Sequence, residues 1–204
     1  MKRQEQTRRT KTAIMESALE LFRAKGFDAV TVEEITRKAG VAKGSFYTYF
    51  STKSDIIVEE FLKIDAYYQS WAQRCLGRYP SAREKLMAFT QAQMKYVRDS
   101  IGYTNLKILY ANQTIQSGVE KIITKKERFW HTMIRQTIEL GQQSGEFRRD
   151  IDAEKLAVLF NRSVRGFFLD WCISDAGFDL VQEGVEYVGD WIMMALQNHA
   201  IDVP

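Results

Sequence analysis

The sequence contains very little proline, cysteine or histidine: Pro80 and Pro204, Cys75 and Cys172, His131 and His199. So few prolines leave long stretches in which a helix meets no obstacle. The two cysteines stand far apart with no CxxC pair, which offers neither a metal knot nor a disulfide framework and points to two reduced thiols. Neither histidine belongs to an HExxH or related spacing, and GxSxG, GxGxxG and phosphate-loop motifs are missing. The acidic residues are scattered at solvent-face spacing, so no acid–base pair emerges for a helical hydrolase or transferase. The chain is therefore read as a non-enzyme needing no cofactor and no metal. Also missing are an apolar run near the roughly 18 residues of a membrane span and an apolar signal segment behind Lys2 and Arg3. The expected setting is cytoplasmic, with no membrane partner.

What is present is 204 residues, 45% hydrophobic and 27% charged, ordinary proportions for a folded globular chain. Strong helix formers fill most of it and no run of alternating β-branched residues occurs, so the expected fold class is all-α. Charge is uneven along the chain. Residues 1–55 hold eleven basic against seven acidic residues, net +4, whereas residues 56–204 hold eighteen against nineteen, net −1. A small basic unit ahead of a near-neutral, aromatic-rich remainder suits a polyanionic partner for the first part.

Helical periodicity predicts a first helix over about 9–25, with Ile14, Ala18, Leu21 and Phe22 on one face and Gly26 as its stop. Thr31 followed by Glu34 is a capping box, opening a second helix over 32–40. A third short helix follows over 43–50, with Phe46 and Phe50 four apart on its buried face. Thr52 with Asp55 opens a long helix over about 53–76. Further helices are expected near 82–99, 103–113, 119–143, 152–173 and 179–198. The division that follows is residues 1–52 as a small basic unit and 53–204 as a larger helical unit.

Two short helices joined by a glycine-containing turn, with a preceding helix to pack on both, form the pattern of a helix-turn-helix. Between the Phe46 and Phe50 anchors and just ahead of them stand Lys43, Gly44, Ser45, Tyr47, Thr48 and Tyr49, where a solvated helix would more often carry Glu and Lys. Lys43 can donate to a guanine edge or a phosphate, and Ser45 can donate to or accept from a base. Gly44 permits close backbone approach. Tyr47 and Tyr49 carry hydroxyls on rigid rings suited to phosphates, and Thr31 and Lys53 sit at helix starts where amides attract phosphate. Singly, Tyr47 or Tyr49 reads more readily as a half-buried packing residue and Thr31 as a mere cap; the joint pattern is what points to DNA. Lys2, Arg3, Arg8, Arg9 and Lys11 read either as a basic arm toward DNA or as a solvated tail.

The run TVEEITRKAGVAKGSFYTYFSTKSDII, from Thr31 to Ile57, with LFRAKGFDAVT before it, resembles the signature of the TetR family of bacterial transcriptional regulators. The specific resemblance covers about residues 8–60; beyond that, only length and helical layout match. It implies a repressor that contacts double-stranded DNA at a near-palindromic operator through Thr31, Lys43, Gly44, Ser45, Tyr47, Thr48, Tyr49 and Lys53. It also implies a homodimer held by the last two helices. Their apolar faces carry Leu156, Leu159, Phe160, Val164, Phe167 and Trp171 on one and Val181, Val185, Val188, Ile192 and Leu196 on the other, with Leu156, Phe160, Val164, Phe167, Val181, Val185, Val188 and Ile192 expected at the interface. A small apolar or aromatic effector is the second implied partner. Tyr67, Trp71, Tyr110, Trp130 and Phe167 are the candidate effector-binding rings, which read either as core or as the lining of a cavity. A scaffold or protein-interaction module would explain the helices but not the chemistry from Lys43 to Lys53.

Overall fold

The structure, a computed structural model, describes residues 2–115 and 121–197. Among these residues no β-strand forms; one antiparallel bridge joins Phe147 to Gln197. The helices are α1 (Lys2–Lys25), α2 (Val32–Lys38), α3 (Lys43–Tyr49), α4 (Lys53–Cys75), α5 (Ala82–Tyr96), α6 (Tyr103–Ile115), α7 (Phe129–Ser144), α8 (Ala153–Ile173), α9 (Leu180–Glu186) and α10 (Met193–Leu196). This agrees with the all-α expectation, with differences at particular ends. The first helix starts seven residues earlier than its apolar stripe, because the polar run from Lys2 is itself composed of good helix formers. The helix expected over 119–143 begins at Phe129, after a 3₁₀ turn at Ile122–Thr124; residues 116–120 lie outside the described residues. The last helix is broken into α9 and α10 by π-helical turns at Tyr187–Ile192.

Two compact units result: residues 1–63 with 104–123, and residues 64–103 with 124–204. The division thus falls inside α4, and α6 is counted with the N-terminal helices. In the first unit α1 packs on both α2 and α3 around Ile14, Ala18, Phe22, Val30, Ile35, Phe46 and Phe50, all buried. Phe22 and Phe27 stand 4.8 Å apart across the turn that ends α1. Asn112 and Gln113 of α6 are buried, and Asn112 Nδ2 donates to Ser54 Oγ at 3.1 Å in the first turn of α4.

In the second unit α5, α7, α8 and α9 pack around Leu86, Phe89, Met94, Ile134, Ile138, Phe160 and Val164. Ser81 repeats the capping device seen before α2, accepting from Glu84 N at 3.1 Å while Glu84 accepts from Ser81 N. Gly141 is required by packing: a Cβ there would run into the buried Phe147 ring, which closes the loop after α7.

Candidate nucleic-acid interface

The second and third helices owe their mutual placement to caps and a turn. Thr31 is extended, with φ −99 and ψ 157, and its Oγ1 accepts from Glu34 N at 3.2 Å while its own N–H donates to Glu34 Oε2 at 2.9 Å. Glu34 also accepts from Lys25 Nζ at 2.6 Å. The Lys25 ammonium, then the Thr31 amide, hold its carboxyl down at about 2. Past the C-terminus of α2, Gly40 takes φ 67, the left-handed conformation that turns the chain into α3. Val41 N donates back to Thr36 O at 3.0 Å.

Phe46 is fully buried and Phe50 nearly so, their rings 5.5 Å apart. That anchoring face fixes which side chains of α3 look outward. Lys43, Gly44, Tyr47 and Thr48 are exposed, Ser45 and Tyr49 half-buried. The Tyr47 ring is 54% exposed and held edge-on against Phe46 at 5.4 Å. Thr48 Oγ1 donates to Gly44 O at 3.2 Å, so that hydroxyl is partly engaged within its own helix. Lys43 pairs with Glu33 of α2, which raises the ammonium above its ordinary value and lowers the carboxyl below its own. Glu33 is a neighbour the sequence reading did not single out: ten positions separate it from Lys43, and only the turn brings them together.

Lys53 is placed differently from the phosphate-facing role expected of it. Its Nζ donates to Val30 O at 2.6 Å and Phe27 O at 2.9 Å and lies 4.7 Å from the centre of the Phe27 ring. Partial burial pushes its ammonium below the ordinary value. Lys53 ties the loop after α1 to the start of α4. Lys53→Met is therefore expected to lower the stability of the first unit by about 1–2 kcal/mol, the scale of charge-assisted hydrogen bonds. The check is a denaturant titration with Lys53→Arg beside it; a midpoint unchanged in Lys53→Met refutes the tether.

Of the basic arm, Arg8 and Arg9 lie on α1 beside Glu5, at 3.7 and 3.2 Å, and Lys11 pairs with Glu59 at 2.7 Å. Over these residues the basic run is helical, with Arg8 and Arg9 exposed. The side chains of Lys2 and Arg3 lie outside the described residues.

Residues 14–59 match the family described as bacterial regulatory proteins, tetR family, and residues 63–194 match the C-terminal region of the YsiA-like proteins of the same family. The chain belongs to the TetR family. Similar TetR-family proteins include a probable acrEF/envCD operon repressor of Escherichia coli, 22% identical over 95% of this chain and 90% of the relative. Another is the fatty acid metabolism regulator of Bacillus subtilis, 24% identical over 82% and 86%. The fold is that of the fatty acid degradation regulator FadR from Bacillus halodurans, at TM-score 0.76 and 20% identity over 93% and 97% of the two chains. The chain is thus a transcriptional regulator of the TetR type and not an enzyme.

In the C-terminal unit of this TetR-family chain, several residues expected at a dimer interface are already covered by their own protomer. Leu156, Phe160, Val164, Val188 and Ile192 are buried, and Val181 and Val185 half-buried. Side chains buried in one chain have no apolar surface left to give to a second. Phe167 is half-buried, stacked on Tyr187 at 5.1 Å and edge-on to Phe178 at 5.2 Å. The uncovered apolar residues of these helices are others: Leu159, Leu169 and Ile173 on α8, and Trp191 and Met194 at the chain's end, with Ile173 and Trp191 71% and 68% exposed.

The candidate effector rings divide similarly. Tyr67 stacks on Tyr96 at 3.7 Å and touches Tyr68, whose ring meets Phe89, and Trp71 lies 5.6 Å from Phe89. Trp130 is buried in the same unit. Phe167 belongs instead to the Phe178 and Tyr187 group, and Tyr110 is buried in the first unit.

Proposed function

We propose that this chain is a dimeric repressor that reads a near-palindromic operator with α3 and is released by a small-molecule effector, acting in the cytoplasm. The observation that carries the DNA reading is the division of α3. Phe46 and Phe50 hold it to the unit while Lys43, Gly44, Tyr47 and Thr48 face outward, with Ser45 and Tyr49 at the margins. An exposed face of this composition on a short helix fits a major groove, Lys43 and Ser45 reading base edges and the phenols holding phosphates. Thr31 stands at the start of α2 with one hydroxyl lone pair and its donor near Glu34, and serves there as a cap and a margin contact. Residues 1–52 carry this reading, and residues 53–204 carry dimerisation and effector response.

The effector reading draws on the solved relatives of this fold. A Thermus thermophilus FadR is described in complex with lauroyl-CoA, at 20% identity, and a Bacillus subtilis FadR in complex with stearoyl-CoA, at 22%. A ligand that repacks the later turns of α4 has a continuous helix leading to the turn that carries Lys53 and Ser54. In a dimer, moving those turns changes the spacing of the two α3 helices, which must match about one DNA turn.

Selection of duplexes from a random pool by the full-length protein tests the reading. The selected site is expected to be an inverted repeat, with log K falling against log salt by about 0.9 per neutralised phosphate. Replacing Lys43 or Ser45 should shift base preference at one position of each half-site by about 1–3 kcal/mol. Equal affinity for random and selected duplexes removes the reading.

A further inference from the structure

The interior of the second unit holds a set of polar atoms that find no hydrogen-bond partner among the described residues. They are Thr90 Oγ1 and both amide atoms of Gln93 on α5, Trp130 Nε1 on α7, and Asn161 Oδ1 on α8. All four residues are more than nine-tenths buried. A buried donor or acceptor without a partner destabilises a fold, and native interiors contain few of them. They stand on three helices that meet along one seam, α7 packing on both α5 and α8.

Thr90 and Gln93 lie three residues apart, on one face of α5. Gln93 faces the buried Tyr68 phenol of α4, near enough to act on its ionisation but without a well-formed bond from either amide atom. Arg128 and Asp65 act on the same phenol. Two positions after Arg128 comes Trp130, then His131, whose Nδ1 stands 2.9 Å from Asn161 Nδ2. Through its packing on both, α7 links the α5 side of the seam to α8.

The charged members of the seam are already matched. Arg128 forms a two-pronged pair with Asp65, at 2.7 and 3.0 Å, and His131 Nε2 lies 3.0 Å from Glu154, which also takes Lys126. What remains unmatched is uncharged: an amide, a hydroxyl, an indole N–H and an amide oxygen, together both donating and accepting. An anion entering here would have to break the Arg128–Asp65 pair or remain buried without a counter-charge, and either is costly. A purely apolar guest would leave the orphan atoms unpaired.

We propose that the effector of this regulator is a neutral molecule with an apolar, ring-bearing body and an amide, hydroxyl or carbonyl group that hydrogen-bonds to Gln93, Thr90, Trp130 and Asn161. The proposal rests on the effector reading above and narrows its chemistry. The Tyr67, Tyr96, Phe89 and Trp71 rings stand on the α4 and α5 helices that carry Tyr68, Thr90 and Gln93, and they suit such a body.

The test uses the full chain and matched one-ring and two-ring probes. Benzamide, benzoate and ethylbenzene, and the corresponding naphthalene carboxamide, carboxylate and ethyl compound, are titrated by calorimetry and thermal shift. The carboxamide of at least one series should bind about tenfold or more tighter than its carboxylate and hydrocarbon. Gln93→Met and Thr90→Val keep the side-chain volume and should erase that preference while the protein stays folded. The proposal is overturned by a carboxylate that binds tightest, by a preference unchanged in both variants, or by no binding in either series. Operator affinity is then measured separately. A carboxamide that binds with the expected preference yet leaves the operator bound removes effector control and keeps the site. Release by anions, unaffected by Gln93→Met, keeps effector control and removes the site.

Discussion

Replacing Ile173 and Trp191 together by glutamate is expected to give a folded monomer that no longer holds its operator. Both side chains are more than two-thirds exposed in the single chain, so the change removes little from the protomer's own core. Exposed substitutions of this kind usually shift stability by no more than about 0.5 kcal/mol. In a dimer that buries the Leu159, Leu169, Ile173, Trp191 and Met194 surface, however, the new carboxylates lie unpaired in apolar contact. A monomer holds one half-site only, so operator affinity should fall on the order of 10²–10⁴-fold through lost avidity. Val164→Glu and Val188→Glu supply the contrast. Those positions are fully buried, and charge there should unfold the second unit rather than separate two intact protomers. Sedimentation with circular dichroism distinguishes the two outcomes. A wild-type chain that sediments as a monomer at micromolar concentration, or a double variant that stays dimeric, defeats the assignment of this surface.

The second large effect concerns adjacent residues of α3. Phe46→Ala removes a fully buried ring at the point where α3 packs and should cost about 3–5 kcal/mol, enough to melt a small unit of ordinary stability. Tyr47→Ala takes away an exposed ring and should leave the melting transition of the first unit nearly in place, while operator affinity falls by about 1–3 kcal/mol. Thermal unfolding and operator titration of both variants read the two quantities independently. If Tyr47→Ala melts like Phe46→Ala, the ring is a packing residue and leaves the proposed contact set; if it binds the operator unchanged, α3 meets DNA through another face.

The helix-turn-helix was legible because its determinants are local. The capping pair Thr31 and Glu34, the left-handed Gly40, and the Phe46 and Phe50 spacing all act within a few residues, and the structure has each of them. The role of Lys53 was not legible, since its carbonyl partners lie 23 and 26 residues back and carry no side-chain signature. The dimer residues were chosen from the strongest apolar stripes of the last two helices. Such stripes are the ones a protomer's own core takes first, which leaves Leu159 at the stripe's edge, and Leu169 and Ile173 outside it, exposed. Thr90 and Gln93 were hidden for the opposite reason. Polar residues scattered through amphipathic helices read as solvent-facing, and only the packing of α5, α7 and α8 puts them inside.

The interleaved order of the two units bears on how the chain is made. As the protein leaves the ribosome, α1, α2, α3 and the first turns of α4 emerge together, yet the first unit also includes residues 104–123. Ser54 must therefore wait for Asn112 until the whole of α5, an element of the other unit, has been translated. The second unit waits longer still, because the α7, α8 and α9 partners of α5 are synthesised last. A nascent chain stalled just after α5 holds α1, α2 and α3 but neither completed unit.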